Sequence, residues 1–211
     1  MADFKGFDEN FSLSGKSAFI TGAANGIGLA IAKMFTRKGA NIVAFDKSEE
    51  FSFLGEYAED QKVDFLGITG NMKSKDSLQR AVDSAIDRFG KIDVLVNCAG
   101  VGLIESAEDM PEDVWDLTMD VNLKGPFILS QIVGRTMIEN GGGRIINIAS
   151  QAGIVALDKH IAYSTSKAGL IMLTKILALE WGKYNIRANA ISPTVILTEM
   201  GEKAWEGEVG E

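Results

Sequence analysis

Among its 211 residues the chain has a single cysteine, Cys98. That excludes an intrachain disulfide and suits a reducing compartment. Basic residues are also in short supply: 21 Lys and Arg against 29 Asp and Glu leave a formal net charge of -8. Phosphate contacts need a basic surface, so a nucleic-acid partner is not expected. No apolar run is long enough to span a bilayer, and Met1 to Asn10 has no apolar h-region. The expected location is the cytoplasm, with no membrane partner. No cluster of His, Cys and carboxylates has zinc spacing, so no catalytic metal is expected. Internal repeats, low-complexity segments and flexible linkers are missing too. What remains, 46% hydrophobic and 24% charged, is the composition of an ordinary soluble globule of one domain, 1–211, large enough to bury a full core.

Apolar patterning gives the order of elements. Residues 1–13 read as an N-terminal arm. Ser17–Ile20 is a short apolar strand, followed by a Gly-rich turn and a helix over Ile27–Lys38 that Gly39 stops. Asn41–Phe45 is the next strand, which completes a βαβ unit. Val63–Ile68, Ile92–Val96, Arg144–Ala149 and Ile186–Ile191 read as further strands. Helices are expected over Ser74–Phe89, over Pro111–Ile138 with a break near Gly125-Pro126, and over Ile161–Trp181. Continuously apolar strands alternating with helices indicate an α/β fold with a parallel sheet covered on both faces.

The segment Thr21-Gly22-Ala23-Ala24-Asn25-Gly26-Ile27-Gly28 joins the first strand to the first helix. A pyrophosphate binding at a helix N-terminus must approach the backbone closely, so side chains there must be absent. Gly22 suits the tight turn, Gly26 the approach of a phosphate and Gly28 the packing of helix on sheet. Alone such a loop is weak evidence, and a merely tight turn is the plainer reading. Its place inside a βαβ unit favours a dinucleotide. Asp46 ends the second strand, 18 residues after Gly28. It is either a cap for the next segment or, as favoured here, the acceptor for ribose hydroxyls that also repels a 2′-phosphate. NAD is therefore expected rather than NADP.

Several motifs now stand in order: TGAANGIG at 21–28, NCAG at 97–100, Asn122 in DVNLKG, INIAS ending at Ser150, Tyr163-Ser164-Thr165-Ser166-Lys167, and ISPTVILTEM at 191–200. Together they resemble the short-chain dehydrogenase/reductase family from about Leu13 onward. The resemblance implies a Rossmann-like doubly wound sheet of strand order 3-2-1-4-5-6, with a seventh strand apparently missing. It implies a catalytic set of Asn122, Ser150, Tyr163 and Lys167. It also implies cofactor contacts from Gly22, Asn25, Gly26, Ile27, Gly28, Asp46, Asn71, Met72, Asn97, Ala99, Gly100, Tyr163, Lys167, Pro193, Ile196 and Thr198, and a homotetramer or homodimer packed through the long helices.

The chemistry of that set stands without the family. Tyr163 and Lys167 are four apart on a helix and share a face. A neighbouring ammonium favours the phenolate, and so lowers a value that is otherwise near 10. The phenol can then take the hydroxyl proton of an alcohol as its hydride leaves, or protonate a carbonyl oxygen in reverse. Ser150 donates to the same oxygen. Taken singly, these residues read more plainly as a surface pair, a cap and a solvent-facing Asn. Their joint occurrence downstream of the glycine loop is what points to catalysis.

Some stretches narrow the substrate. Pro193-Thr194-Val195, SQAGIVAL at 150–157 and TEMGEKAWEGEVGE at 198–211 are similar to members acting on polyols of the threitol, glycerol and galactitol type. The expected reaction is hydride transfer between a small sugar alcohol and NAD. The alternatives are an NAD(P)-dependent carbonyl or 3-ketoacyl reductase, or a non-catalytic NAD-binding protein. Ser150, Gln151, Gly153, His160 and Tyr163 are the candidate substrate contacts, although His160 reads more readily as a loop histidine at the helix start. Trp115 and Trp205 are expected to pack rather than to bind, and Cys98 to be a small buried hydrophobe. Residues 197–211 read as the start of a substrate loop, and the chain is expected to be incomplete at its C-terminus.

Overall fold

A computed structural model describes residues 11–198. Six parallel strands form one sheet in the order β3-β2-β1-β4-β5-β6, as the family resemblance implies. The strands are β1 (Ser17–Thr21), β2 (Asn41–Asp46), β3 (Phe65–Thr69), β4 (Val94–Asn97), β5 (Gly143–Ile148) and β6 (Ile186–Ile191). The helices between them are α1 (Gly26–Arg37), α2 (Ser52–Asp60), α3 (Lys75–Phe89), α4 (Glu112–Met119), α5 (Gly125–Glu139) and α6 (Ile161–Trp181).

The period of two in each strand decides which helices cover it. Phe19, Val43, Phe45, Leu95 and Ile145 point to one face and pack with Leu78 and Val82 of α3, Leu129 and Val133 of α5 and Leu177 of α6. Ala18, Ile20, Ile42, Ala44, Val94 and Val96 point to the other, against Ala32 of α1 and Leu54 of α2. Because β1, β2 and β4 are covered on both sides, nearly every one of their residues is buried. That burial produced the unbroken apolar runs in the sequence.

Helix ends follow local chemistry. Ser74 caps α3 by accepting from the Ser77 amide, and Gly90, at φ 76°, closes it. Gly39, at φ 88°, ends α1.

The expectations need two corrections. Helix α2 was not read from the sequence. The long stretch over 111–138 is interrupted near Gly125-Pro126, as expected, by a wide π-type turn over Asp120–Lys124. Pro126 lies in the first turn of α5, where its missing N–H is no loss. The arm boundary also moves: Leu13 donates its amide to Lys38 O at 2.8 Å and packs against the α1 face of the sheet. Residues 1–10 of that arm lie outside the described residues, as do 199–211 of the expected substrate loop, Trp205 included. Among the described residues, no helix is long and apolar enough to cross a membrane.

Candidate active site

The carboxyl edge of a parallel sheet gathers the loops that follow each strand. Here those loops carry most of the residues singled out by sequence. After β1, Gly22 and Gly26 take positive φ values of 67° and 53°, a region that side chains rarely adopt. A Cβ on Gly28 would lie 2.1 Å from Gly22 O, and one on Gly22 2.9 Å from Ala99 Cα. The loop is thus folded tightly on itself and against the segment after β4. Asn25 precedes α1 in an extended conformation and makes no side-chain cap, and the first turn holds no acidic residue. The helix N-terminus therefore presents backbone N–H groups without a competing anion.

Asp46 closes β2 beside this loop. Its Oδ2 accepts from the Ala24 amide and its Oδ1 from the Ser48 amide, each at 3.1 Å. Thr21 Oγ1 accepts from the Cys98 and Ala99 amides, both at 3.0 Å, which ties β1 to the turn after β4. Bare backbone amides, a cradle that a side chain would fill and a carboxylate at the β2 end fit the pyrophosphate and ribose of a dinucleotide.

The reactive side chains come from the other half of the edge. Lys167 is 4% exposed, and its Nζ donates to Ile148 O at 2.8 Å. A Cβ on Gly100 would come within 3.6 Å of that Nζ, so the lysine lies directly under the turn that borders the glycine loop. Tyr163, one helical turn earlier, has its ring centroid 5.6 Å from the same nitrogen. Ser150 follows β5, and its Oγ accepts from the Ala152 amide at 3.1 Å. The hydroxyl proton is left to donate elsewhere.

Asn122, expected mid-helix, occupies the π turn and is fully buried. It exchanges bonds with Val101, accepting from N at 2.8 Å and donating to O at 2.9 Å, and its Nδ2 also reaches Ser166 Oγ at 3.1 Å. The wide turn aims the Asn122 side-chain amide into the gap between α6 and the turn after β4.

Burial dominates the electrostatics. The Tyr163 phenol is pushed above its ordinary value by desolvation, and a hydrogen bond from Ser150 offsets only part of this. This corrects the expectation that the ammonium of Lys167 lowers it. The lysine is itself desolvated, which brings its pKa from 10.5 down to about 8. Burial raises the Cys98 thiol to about 11, in keeping with a small buried hydrophobe.

Other expected contacts are placed differently. The Asn97 side chain turns away from the edge into the core, where its Nδ2 donates to Ser130 Oγ and Asn147 Oδ1. Only its main chain remains to face a cofactor. Met72 is a core residue packed against Gly125. Asn71 closes a local turn by accepting from the Lys73 amide at 2.9 Å. Gly153 is pressed onto α6, a Cβ there lying 2.7 Å from Lys167 C, so it seats the Ser150 turn on that helix. Gln151 donates its amide to Pro193 O at 2.9 Å and links that turn to the exit of β6. His160 sits at the start of α6 with its ring edge-on to Tyr163, centroids 6.1 Å apart.

Pro193, Ile196 and Thr198 share a cavity of about 700 Å³ with Gly26, Ile27 and the apolar flank of α1. Neither Ser150 nor Tyr163 lines it. Residues missed by the sequence reading include Thr21, Ser166 and Asn147. Asn147 interrupts an apolar run and Thr21 closes one, a signal that could have found both, whereas Ser166 stands among polar neighbours that hide it.

Comparison with known proteins agrees with this geometry. The family model described as short chain dehydrogenase matches residues 16–209. The chain is 50% identical to an NAD-dependent glycerol dehydrogenase of Listeria innocua over 99% of its own length and 81% of that protein. It is 46% identical to a D-threitol dehydrogenase of Mycolicibacterium smegmatis, over 97% and 79% of the two chains. Among solved structures, an NAD+-bound xylitol dehydrogenase superposes with a TM-score of 0.88 at 35% identity, covering 92% of this chain and 75% of the other.

Proposed function

Because the chain belongs to the short-chain dehydrogenase family, we propose that it oxidises small polyols, of the size of glycerol and the four-carbon sugar alcohols, with NAD as hydride acceptor. The observation that carries this reading is the continuity of the edge. Gly22 abuts Ala99, and Gly100 roofs the Lys167 ammonium. Tyr163 stands one turn from that lysine, so acid/base group and dinucleotide cradle adjoin.

Bound NAD would supply the electrophilic ring that accepts the hydride. The chain's residues do the rest. Tyr163 takes the hydroxyl proton of the alcohol at its phenolic oxygen. Ser150, with its own acceptor side occupied by Ala152, donates to the developing alkoxide and holds the oxygen in place. Lys167 holds the ribose next to the ring. Asn122 keeps the turn at Val101 and the start of α6 at a fixed separation. Asp46 supports NAD over NADP, since a 2′-phosphate would meet its carboxylate. A polyol presents several hydroxyls that need partners, and Gln151 and His160 border the position they would take.

The test is a polyol panel with NAD, followed by absorbance of the reduced nicotinamide. Tyr163→Phe should lower turnover by about 10²- to 10⁴-fold while NAD still binds. No turnover with any alcohol or ketone would remove the enzyme reading. One observation favours a second reading, reduction of a carbonyl on an apolar chain. Leu103, Ile104, Ile154, Val155 and Leu197 are all exposed on segments around the site. Ketoacyl thioesters in the same panel separate the two.

The chain is also read as associating with itself. Met172, Ile176 and Leu179 form an exposed apolar stripe on α6, with Leu179 83% exposed, and Phe127 is exposed on α5. Ile176→Glu/Leu179→Glu should reduce the mass seen by sedimentation; an unchanged mass would discard this face.

A further inference from the structure

Beneath the reactive edge, a line of buried polar side chains crosses an otherwise aliphatic layer. Asn147 of β5 is fully buried and is the register partner of Asn97 on β4. It accepts from Asn97 Nδ2 at 2.8 Å and donates through its own Nδ2 to Thr174 Oγ1 at 2.8 Å. Thr174 donates in turn to Leu170 O at 2.7 Å, and Asn97 Nδ2 also reaches Ser130 Oγ on α5 at 3.1 Å. None of these four side chains is more than 4% exposed. The chord runs from α5 through β4 and β5 to α6.

Such a chord is a poor way to gain stability. Apolar groups of the same shape do as well or better, because buried polar groups lose their water. What a hydrogen bond adds is a fixed distance and angle, where one aliphatic surface can slide on another. The question is then which separation is fixed. Thr174 lies seven residues after Lys167 and eleven after Tyr163, spacings that keep all three on one face of α6. Asn147 directly precedes Ile148, whose carbonyl holds the Lys167 ammonium at 2.8 Å, and lies three residues before Ser150. As β5 climbs and α6 descends, the facing pairs are 147 with 174, 148 with 167 and 150 with 163. A slip of α6 by one residue is about 1.5 Å along its axis, enough to break the lysine bond and part Tyr163 from Ser150.

We propose that Asn147 and Thr174 are positioning residues, which set the axial register of α6 on β5 and thereby the separation of Tyr163 from Ser150 and of Lys167 from the Ile148 carbonyl. Neither touches substrate or cofactor. The link to turnover rests on the dehydrogenase reading above; the link to Tyr163 does not.

Thr174→Val keeps the shape and removes the hydroxyl. It should lower kcat by about tenfold to a hundredfold, leave the KM for NAD unchanged and displace the pH profile of kcat. Thr174→Ser should restore both kcat and profile even if it melts lower for want of a methyl group. Asn147→Leu/Thr174→Val removes both ends of the α6 bond and leaves Asn97 Nδ2 its bond to Ser130 Oγ, so it should fold and still turn over slowly. A second readout needs no turnover: phenolate absorbance of Tyr163, taken as the difference from the Tyr163→Phe protein, should titrate at a different pH in Thr174→Val and return in Thr174→Ser. If the wild-type protein is inactive on every substrate, the function fails and this titration alone decides the register. Wild-type kcat, profile and phenol titration in Thr174→Val would overturn the proposal, as would a Thr174→Ser protein no better than Thr174→Val.

Discussion

The Asp46 carboxylate accepts a hydrogen bond from the amide of Ala24, in the glycine loop 22 residues earlier, at 3.1 Å. One carboxylate therefore both shapes the loop and presents itself at the end of β2. Hydrogen bonds to a charged group are worth about 1.5–3 kcal/mol. Asp46→Ala should raise the KM for NAD by roughly tenfold to a hundredfold with a smaller effect on kcat. It should also narrow the preference for NAD over NADP, because repulsion of the 2′-phosphate is gone. Steady-state kinetics with both cofactors check this; an unchanged KM for NAD would remove Asp46 from the binding site.

Burial of Lys167 sets a pH dependence of stability. Its folded value, about 8, lies below its ordinary 10.5. Below pH 8 the ammonium is charged in both states, and the cost of burying it is fully present. Above pH 8 the native protein loses the proton first while the unfolded chain keeps it to about 10.5. On this group's account stability rises across that window and then levels off, by about 3 kcal/mol in all. Lys167→Met removes the dependence. Urea unfolding of both proteins from pH 7 to 10 should find the variant ahead at neutral pH and the gap closing as pH rises. A constant gap would mean that the ammonium is not desolvated.

Two glycines make a paired test. At Gly28 a Cβ would stand 2.1 Å from Gly22 O, a backbone atom with nowhere to go. At Gly90 nothing lies within 4 Å, and only its φ of 76° opposes a side chain. Gly90→Ala should cost about 1–2 kcal/mol and leave NAD affinity alone. Gly28→Ala should cost more and abolish NAD binding, because the loop must open. Denaturant midpoints and cofactor titration read both; equal effects would contradict the packing described for the loop.

β1, β2, β4 and the glycine loop were legible because burial on both faces writes an unbroken apolar run, and a run ending in glycines is hard to misread. The Tyr163–Lys167 pair was legible because a spacing of four always shares a helix face. The misses have physical causes. Helix α2 is short, carries Gly55 and exposes most of its surface. Its only trace is Leu54 and Ala58, buried four residues apart. Gly125-Pro126 marked the interruption before α5, but its form is a change in hydrogen-bond span, which composition does not record. The inward turn of the Asn97 side chain went unread although the strand's own alternation places it with Leu95, on the helix side. The direction of the Tyr163 shift depends on how much water the fold excludes from it, which no spacing reveals.

The wide turn at Asp120–Lys124 sets the integrity of its helix against the placement of one amide. A chain shortened by a single residue between Met119 and Gly125 would close into a regular α-helix and swing one flank by about 100° relative to the other. Pro126 would then lie in a helix interior, where its missing N–H and its ring oppose the regular ladder, and Asn122 would no longer meet Val101 or Ser166. Deletions chosen to regularise this segment should therefore lose the chemistry without a gain in stability.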